Sequence, residues 1–229
     1  MLKVLSTKLL GEDIVDSAHK MGISLKCEDF IRIHELDFDI SALKSLRYDT
    51  MAFTSSNAVN SFFGNEDIES SDYQVPIYAL SGKTKEELEN YDIVPVAIAD
   101  NALQLADKIL TDKNVRSVLH ICGSLRLDVL ENKLSEKGVT YIPFTVCETI
   151  LNSTILDDTY DVVMFFSPSG IDSFVMKNEL NLRTLYCCIG ETTADKLKSI
   201  NDKLIIIVPV KPSPEAMITM IKNYKKQTI

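Results

Sequence analysis

With 229 residues, 45% of them apolar, the chain is long enough for one large domain or for two of roughly 110 residues. No apolar run approaches the ~18 residues of a membrane span, and residues 1–10 are too short and interrupted for a signal peptide, so a cytoplasmic location is expected. Acidic residues outnumber basic ones by 33 to 24, for a formal charge of −9 with no basic stripe, so neither nucleic acid nor a membrane is an expected partner.

Five cysteines (Cys27, Cys122, Cys147, Cys187 and Cys188) are odd in number and show no CxxC spacing, which suggests reduced thiols. The histidines His19, His34 and His120 are scattered singly. Each reads as a surface or packed residue, and no metal is expected.

In chain order, residues 3–6 (KVLS) predict a first strand, and residues 12–21 a helix with apolar residues at helical spacing that Gly22 ends. Residues 31–36 predict the second strand and 41–46 a short helix. Thr50–Phe53 is a strand that stops in Thr54-Ser55-Ser56-Asn57 before a helix over 58–63. Residues 74–80 (QVPIYAL) form the next strand, broken by Ser81-Gly82-Lys83-Thr84 and followed by a helix over 85–90. A phosphate-binding P-loop would need glycine where Ile77 stands, so ATP or GTP is not expected despite the Gly-Lys-Thr run. A short strand over 93–97 and a helix over 102–110 follow.

Residues 117–122 (SVLHIC) run as a strand into Gly123-Ser124, then a helix over 127–137 stops at Gly138, and 139–147 is extended. A strand over 161–166 enters Ser167-Pro168-Ser169-Gly170, and a helix over 171–176 begins at once. Hydroxyl residues and glycine there suit either an anion held on free helix amides or ordinary capping by Ser167 or Ser169. A strand over 185–189, the turn Gly190-Glu191-Thr192-Thr193 and a helix over 194–200 come next. A last strand over 204–208 leads to a helix over 216–224 with Pro214 in its first turn and Ser213 as its cap.

Aligned on each other, FTSSNAVNSF at 53–62 and FFSPSGIDSF at 165–174 match at both Phe ends and at two serines, at an offset of 112 residues. Tyr48-Asp49 falls on Tyr160-Asp161 at the same offset, and Tyr78 and Gly82 fall close to Tyr186 and Gly190. The chain therefore reads as two copies of one unit. Alternating strand and helix in each copy imply a mainly parallel sheet covered on both faces, with ligands beyond the carboxyl ends of the strands. The turns 54–57, 81–84, 122–124, 167–170, 190–193 and 211–214 belong at that edge, and would line one cleft if the halves face each other.

FTSSNAV at 53–59, CGS at 122–124 with the helix after it, FTVCET at 144–149, FFSPSG at 165–170, CIGETTADKL at 188–197 and KPSPEAM at 211–217 together resemble the uroporphyrinogen-III synthase family over nearly the whole chain. The resemblance implies a lyase that cyclises the linear tetrapyrrole hydroxymethylbilane with inversion of ring D, in haem biosynthesis, without a metal or organic cofactor. A monomer is expected. It also implies an α/β fold of two similar flavodoxin-like parallel-sheet domains joined by two extended linkers. Residues 1–35 and 151–229 form one domain, 39–147 the inserted one, and 36–38 and 148–150 the linkers. The repeat alone would place a simple boundary near residue 115.

That substrate carries eight carboxylates while the chain is acidic, so local donors have to hold it. The resulting candidates in the first copy are Thr54, Ser55, Ser56, Asn57, Ser81 and Gly82. In the second they are Cys122, Gly123, Ser124, Arg126, Ser167, Pro168, Ser169, Gly170, Gly190, Thr192, Thr193 and Ser213. Lys83, Arg126 and Lys211 stand beside three of these turns, although the arginine or lysine pair that the family often shows after the Cys-Gly turn is single here. Thr84 occupies a family position linked to activity, and Cys147 stands where the family has a tyrosine proposed as an acid; these two are the catalytic candidates. A non-catalytic two-domain binding or sensor protein for a small anionic ligand is the alternative. A flavin or nucleotide module is disfavoured by the absence of a G-x-G-x-x-G run.

Overall fold

The strands of this chain are short and apolar on both sides. Thr50–Phe53, Val162–Phe165 and Leu185–Cys188 bury all their residues, so helices have to cover both faces of any sheet that holds them. The computed structural model, which describes residues 1–227, contains two such sheets. In chain order the elements begin with β1 (Leu2–Ser6), α1 (Glu12–Lys20), β2 (Ile23–Cys27), β3 (Ile31–Glu35), α2 (Ile40–Ser45), β4 (Thr50–Phe53), α3 (Ser56–Phe63), β5 (Ile77–Leu80), α4 (Lys83–Asn90), β6 (Ala97–Ala99) and α5 (Ala102–Thr111). There follow β7 (Ser117–Gly123), α6 (Val129–Ser135), β8 (Thr140–Leu151), β9 (Val162–Phe165), α7 (Pro168–Val175), β10 (Leu185–Cys188), α8 (Glu191–Ile200), β11 (Ile205–Ile207) and α9 (Pro214–Gln227).

The chain divides into one unit of Met1–Arg32 with Ile150–Ile229 and another of Ile33–Thr149. The first unit holds a parallel sheet in the order β11-β10-β9-β1-β2. One face packs Val4, Val162, Met164 and Cys187 against Ala18 of α1 and Met217, Ile218 and Ile221 of α9. Each such aliphatic side chain taken fully out of water contributes roughly 1.5–3 kcal/mol, so a charge at Ile218 would detach α9. The other face packs Leu5, Val163, Phe165 and Tyr186 under α7 and α8. Helix α1 stops where glycine allows it: Gly22 has φ +80°, and its N–H bonds the His19 carbonyl at 2.9 Å.

The second unit holds the order β3-β8-β7-β4-β5-β6, parallel from β8 through β6. Phe53, Phe62, Phe63 and Tyr73 make an aromatic cluster on one face, with the Phe62 and Phe63 rings edge-on at 4.9 Å. The opposite face is covered by Leu105, Ala106 and Ile109 of α5 and Leu130 and Leu134 of α6.

Several elements differ from the sequence expectations. The second strand is Ile23–Cys27, whose exposed alternate residues hid it, while Ile31–Glu35 lies in the other sheet, beside β8. The strand expected over 93–97 is instead Ala97–Ala99, because Val94 and Val96 are exposed. Residues 148–150, the expected extended linker, are the end of the 12-residue strand β8, and the division between the units falls between Thr149 and Ile150. Ser56 and Asn57 belong to α3, Pro168, Ser169 and Gly170 to α7, and Thr192 and Thr193 to α8, so these turns are shorter than expected. No helix among the described residues is long and apolar enough to cross a membrane.

Candidate functional site

In an open parallel sheet a crevice forms where successive connections leave in opposite directions. In the first unit the chain goes from β1 to β2 on one side and from β9 to β10 on the other, which puts the crevice at the carboxyl ends of β1 and β9. In the second unit β4 leads to β5 and β7 leads away to β8, which puts it at the ends of β4 and β7.

The first crevice is bordered by the turn after β1 and by the start of α7. Thr7 Oγ1 donates to the Met164 carbonyl at 2.8 Å, and the Thr7 N–H reaches the same oxygen at 3.1 Å. Ser167 Oγ accepts the Gly170 N–H at 3.0 Å and lies 3.0 Å from Ser169 Oγ, so of the two readings of this turn, capping is what Ser167 does. Ser213 likewise caps α9 by accepting the Ala216 N–H at 3.2 Å. By contrast, no side chain caps α8 behind Gly190. Its Thr192 is exposed and its Thr193 buried.

In the second unit the residue before α3, Ser55, makes no cap bond either, and α4 starts uncapped behind Gly82. Gly82 has φ +68° and ψ −134°, a conformation only glycine adopts without strain, and Ser81 Oγ donates to Asp100 at 2.9 Å. The Gly123-Ser124 turn is pinned to β8. The Ser124 N–H donates to the Cys147 carbonyl at 2.9 Å, Ser124 Oγ accepts the Thr149 N–H at 3.3 Å, and a Cβ on Gly123 would come within 3.4 Å of Cys147 Sγ. A register shift sits at the same point, where Cys122 pairs Thr145 but Gly123 pairs Cys147. Arg126 is partly exposed, 3.5 Å from Glu131, and its buried Nε has no hydrogen-bond partner.

The sequence candidates thus fall into separate groups. Thr54, Ser55, Gly123, Ser124 and Arg126 border the β4/β7 crevice, with Cys122 buried in β7 below it. Ser167–Gly170 border the β1/β9 crevice, whereas Gly190–Thr193 and Ser213 follow the outer strands β10 and β11. The catalytic candidates are not neighbours in strand order: Thr84 follows β5 and Cys147 lies in β8, with β4 and β7 between them. Both are buried, Thr84 at 6% and Cys147 at 3% exposure. Burial pushes the Cys147 thiol up, and Glu35 adds to this against a hydrogen bond to Ser61, so the thiol stays neutral at pH 7.

Two groups are not among the sequence candidates, where His120 reads only as a surface or packed residue. The turn after β1, with Thr7 and exposed Lys8, borders the β1/β9 crevice, which is evident only once β1 is known to lie beside β9. His120 is buried below Thr54, with its Nε2 2.9 Å from Thr54 Oγ1 and its Nδ1 2.6 Å from Tyr141 Oη. Burial, and then the Arg126 charge, push its pKa down to about 4, while burial pushes Tyr141 up to about 12. The signal in the sequence was a lone polar residue inside an apolar strand. Two clefts within the units, of about 510 Å³ around Arg116 and Gly138 and about 360 Å³ around Tyr160 and Thr184, lie at the amino ends of the strands, away from these turns.

Two parallel α/β units, each with Ser-, Thr- and Gly-rich turns at a topological switch point, define a duplicated protein of the kind that holds ligands beyond the carboxyl ends of its strands. The sequence matches the family model described as uroporphyrinogen-III synthase HemD over residues 18–219, and the chain belongs to that family. Its fold is similar to the crystal structure of a mutant uroporphyrinogen III synthase from the extremely thermophilic bacterium Thermus thermophilus, with a TM-score of 0.72, 16% identity and coverage of 99% of this chain and 100% of that one. It is equally similar to uroporphyrinogen-III synthetase from Helicobacter pylori 26695, with a TM-score of 0.72, 18% identity and coverage of 98% and 100%. No curated protein sequence matches the chain.

Proposed function

We infer that this chain cyclises hydroxymethylbilane, with inversion of ring D and loss of water, to uroporphyrinogen III. The observation that carries this reading is the family match over residues 18–219, a span that contains the turns after β4, β7, β9 and β10. In an acidic chain, the carboxylates of such a substrate have to be met locally. The uncapped first turns of α3, α4 and α8 offer backbone N–H groups and a dipole contribution of ~0.3–1 kcal/mol each. Thr54, Ser55, Ser124, Arg126, Ser169 and Thr192 are the side chains we assign to binding. A cytoplasmic location and a monomeric state belong to the same reading.

The chemistry asks for a proton on the leaving hydroxyl of ring A, support for the cation that remains, and a chain curled so that its ends meet. Alignment of reacting groups contributes ~7–11 kcal/mol, and we assign most of the rate to it. The neutral Cys147 thiol is a weak donor, and its burial leaves it a minor part in the proton transfer.

Incubation with enzymatically generated hydroxymethylbilane, followed by separation of the uroporphyrinogen isomers, tests this reading. Type III product is expected, whereas spontaneous closure gives type I. Type I alone, with the substrate still bound, would make the chain a binding protein.

A further inference from the structure

Besides the buried thiol of Cys122, strand β7 carries His120, which is 1% exposed and bonded at both ring nitrogens: Nε2 to Thr54 Oγ1 at 2.9 Å and Nδ1 to Tyr141 Oη at 2.6 Å. Thr54 follows β4, His120 sits in β7 and Tyr141 in β8, so the bridge crosses three adjacent strands below the β4/β7 crevice.

A neutral imidazole has one N–H, so a chain of bonds through it runs in one direction at a time. A phenol is a far stronger acid than an alkyl hydroxyl, so the Tyr141 O–H is the better donor and the Thr54 oxygen the better acceptor, and this sets the direction. Tyr141 O–H points to Nδ1, and Nε2–H to Thr54 Oγ1. The proton of the Thr54 hydroxyl is then left for the crevice. We propose that Tyr141 and His120 are positioning residues that present the Thr54 hydroxyl as a one-way donor to a carboxylate of the substrate. The inference rests on the functional reading above for the ligand, but the relay stands on its own geometry. In the reverse direction Thr54 would donate inward and turn lone pairs toward an anion. In the assigned direction each bond polarises the next.

Two measurements test this. Nitrogen NMR of the imidazole in the ligand-free wild-type chain should show the Nε2–H tautomer, with the preference lost in Tyr141→Phe; an Nδ1–H tautomer in the wild type would overturn the relay. In kinetics, Thr54→Val and His120→Leu should each raise KM about tenfold, the low end for a hydrogen bond to a charged group, with kcat changed by less than about twofold. The double variant should be no worse than either single one, and His120→Gln, whose amide can donate to Thr54, should recover most of the loss. Losses that multiply in the double variant would mean that the two residues act independently, against the proposal. A wild-type chain that makes no uroporphyrinogen III would overturn the functional reading and remove the substrate from Thr54, while the tautomer would still decide the relay.

Discussion

Ser55 and Ser167 occupy the same place in the two copies of the repeat, yet only Ser167 caps its helix, by accepting the Gly170 N–H at 3.0 Å. The serine of the first copy makes no cap bond, and the serine of the second is committed to the fold. Ser167→Ala should cost ~1 kcal/mol of stability in a urea titration, the usual worth of a serine cap, with little change in KM. Ser55→Ala should leave stability within ~0.5 kcal/mol and raise KM. The reverse pattern would show that the two serines have exchanged roles.

Gly82 and Gly190 both precede uncapped helices, but only Gly82 has a backbone that glycine alone adopts without strain. Gly82→Ala should therefore destabilise the protein by ~1–3 kcal/mol. Gly190 has φ −165° and open space around an added Cβ, so Gly190→Ala should be neutral in thermal unfolding. Equal melting temperatures for the two variants would contradict the assignment of strain to Gly82.

His120 makes stability depend on pH. Its folded pKa of about 4 lies below the unfolded value of ~6.5, so between the two the unfolded chain binds the extra proton. The stabilisation is complete above pH ~6.5 and is lost as pH falls toward 4. The Arg126 charge adds to this by opposing a second positive charge. Relative to His120→Gln, the wild type should lose on the order of 3 kcal/mol more between pH 7 and 4 in denaturant titrations. Parallel curves for the two proteins would mean that the imidazole is solvated.

The repeat, the parallel architecture and most strand positions were legible because fully buried strands leave unbroken apolar runs such as those ending at Phe53 and Phe165. Residues 23–27 were missed because Ser24 and Lys26 are exposed, which dilutes the apolar signal of an edge strand. Ser213 was read correctly as a cap, since a serine before proline at a helix start is a local signal. The Thr54–His120–Tyr141 bridge was not legible. Its members are far apart in sequence, and only the adjacency of β4, β7 and β8 brings them together. Sequence likewise could not show that the Cys147 side chain is enclosed beside Gly123, where a tyrosine ring would have to displace its neighbours at a cost of ~1–3 kcal/mol.

The central claim is that held geometry, more than a side-chain acid, drives ring closure, and the product isomers made by Cys147→Ala test it most directly. With the fold intact by circular dichroism, this variant should still form type III uroporphyrinogen, with kcat lowered less than about tenfold, equivalent to ~1.4 kcal/mol of barrier. A thousandfold loss, or release of type I product alone, would show that the thiol of Cys147 carries the chemistry and would contradict the account.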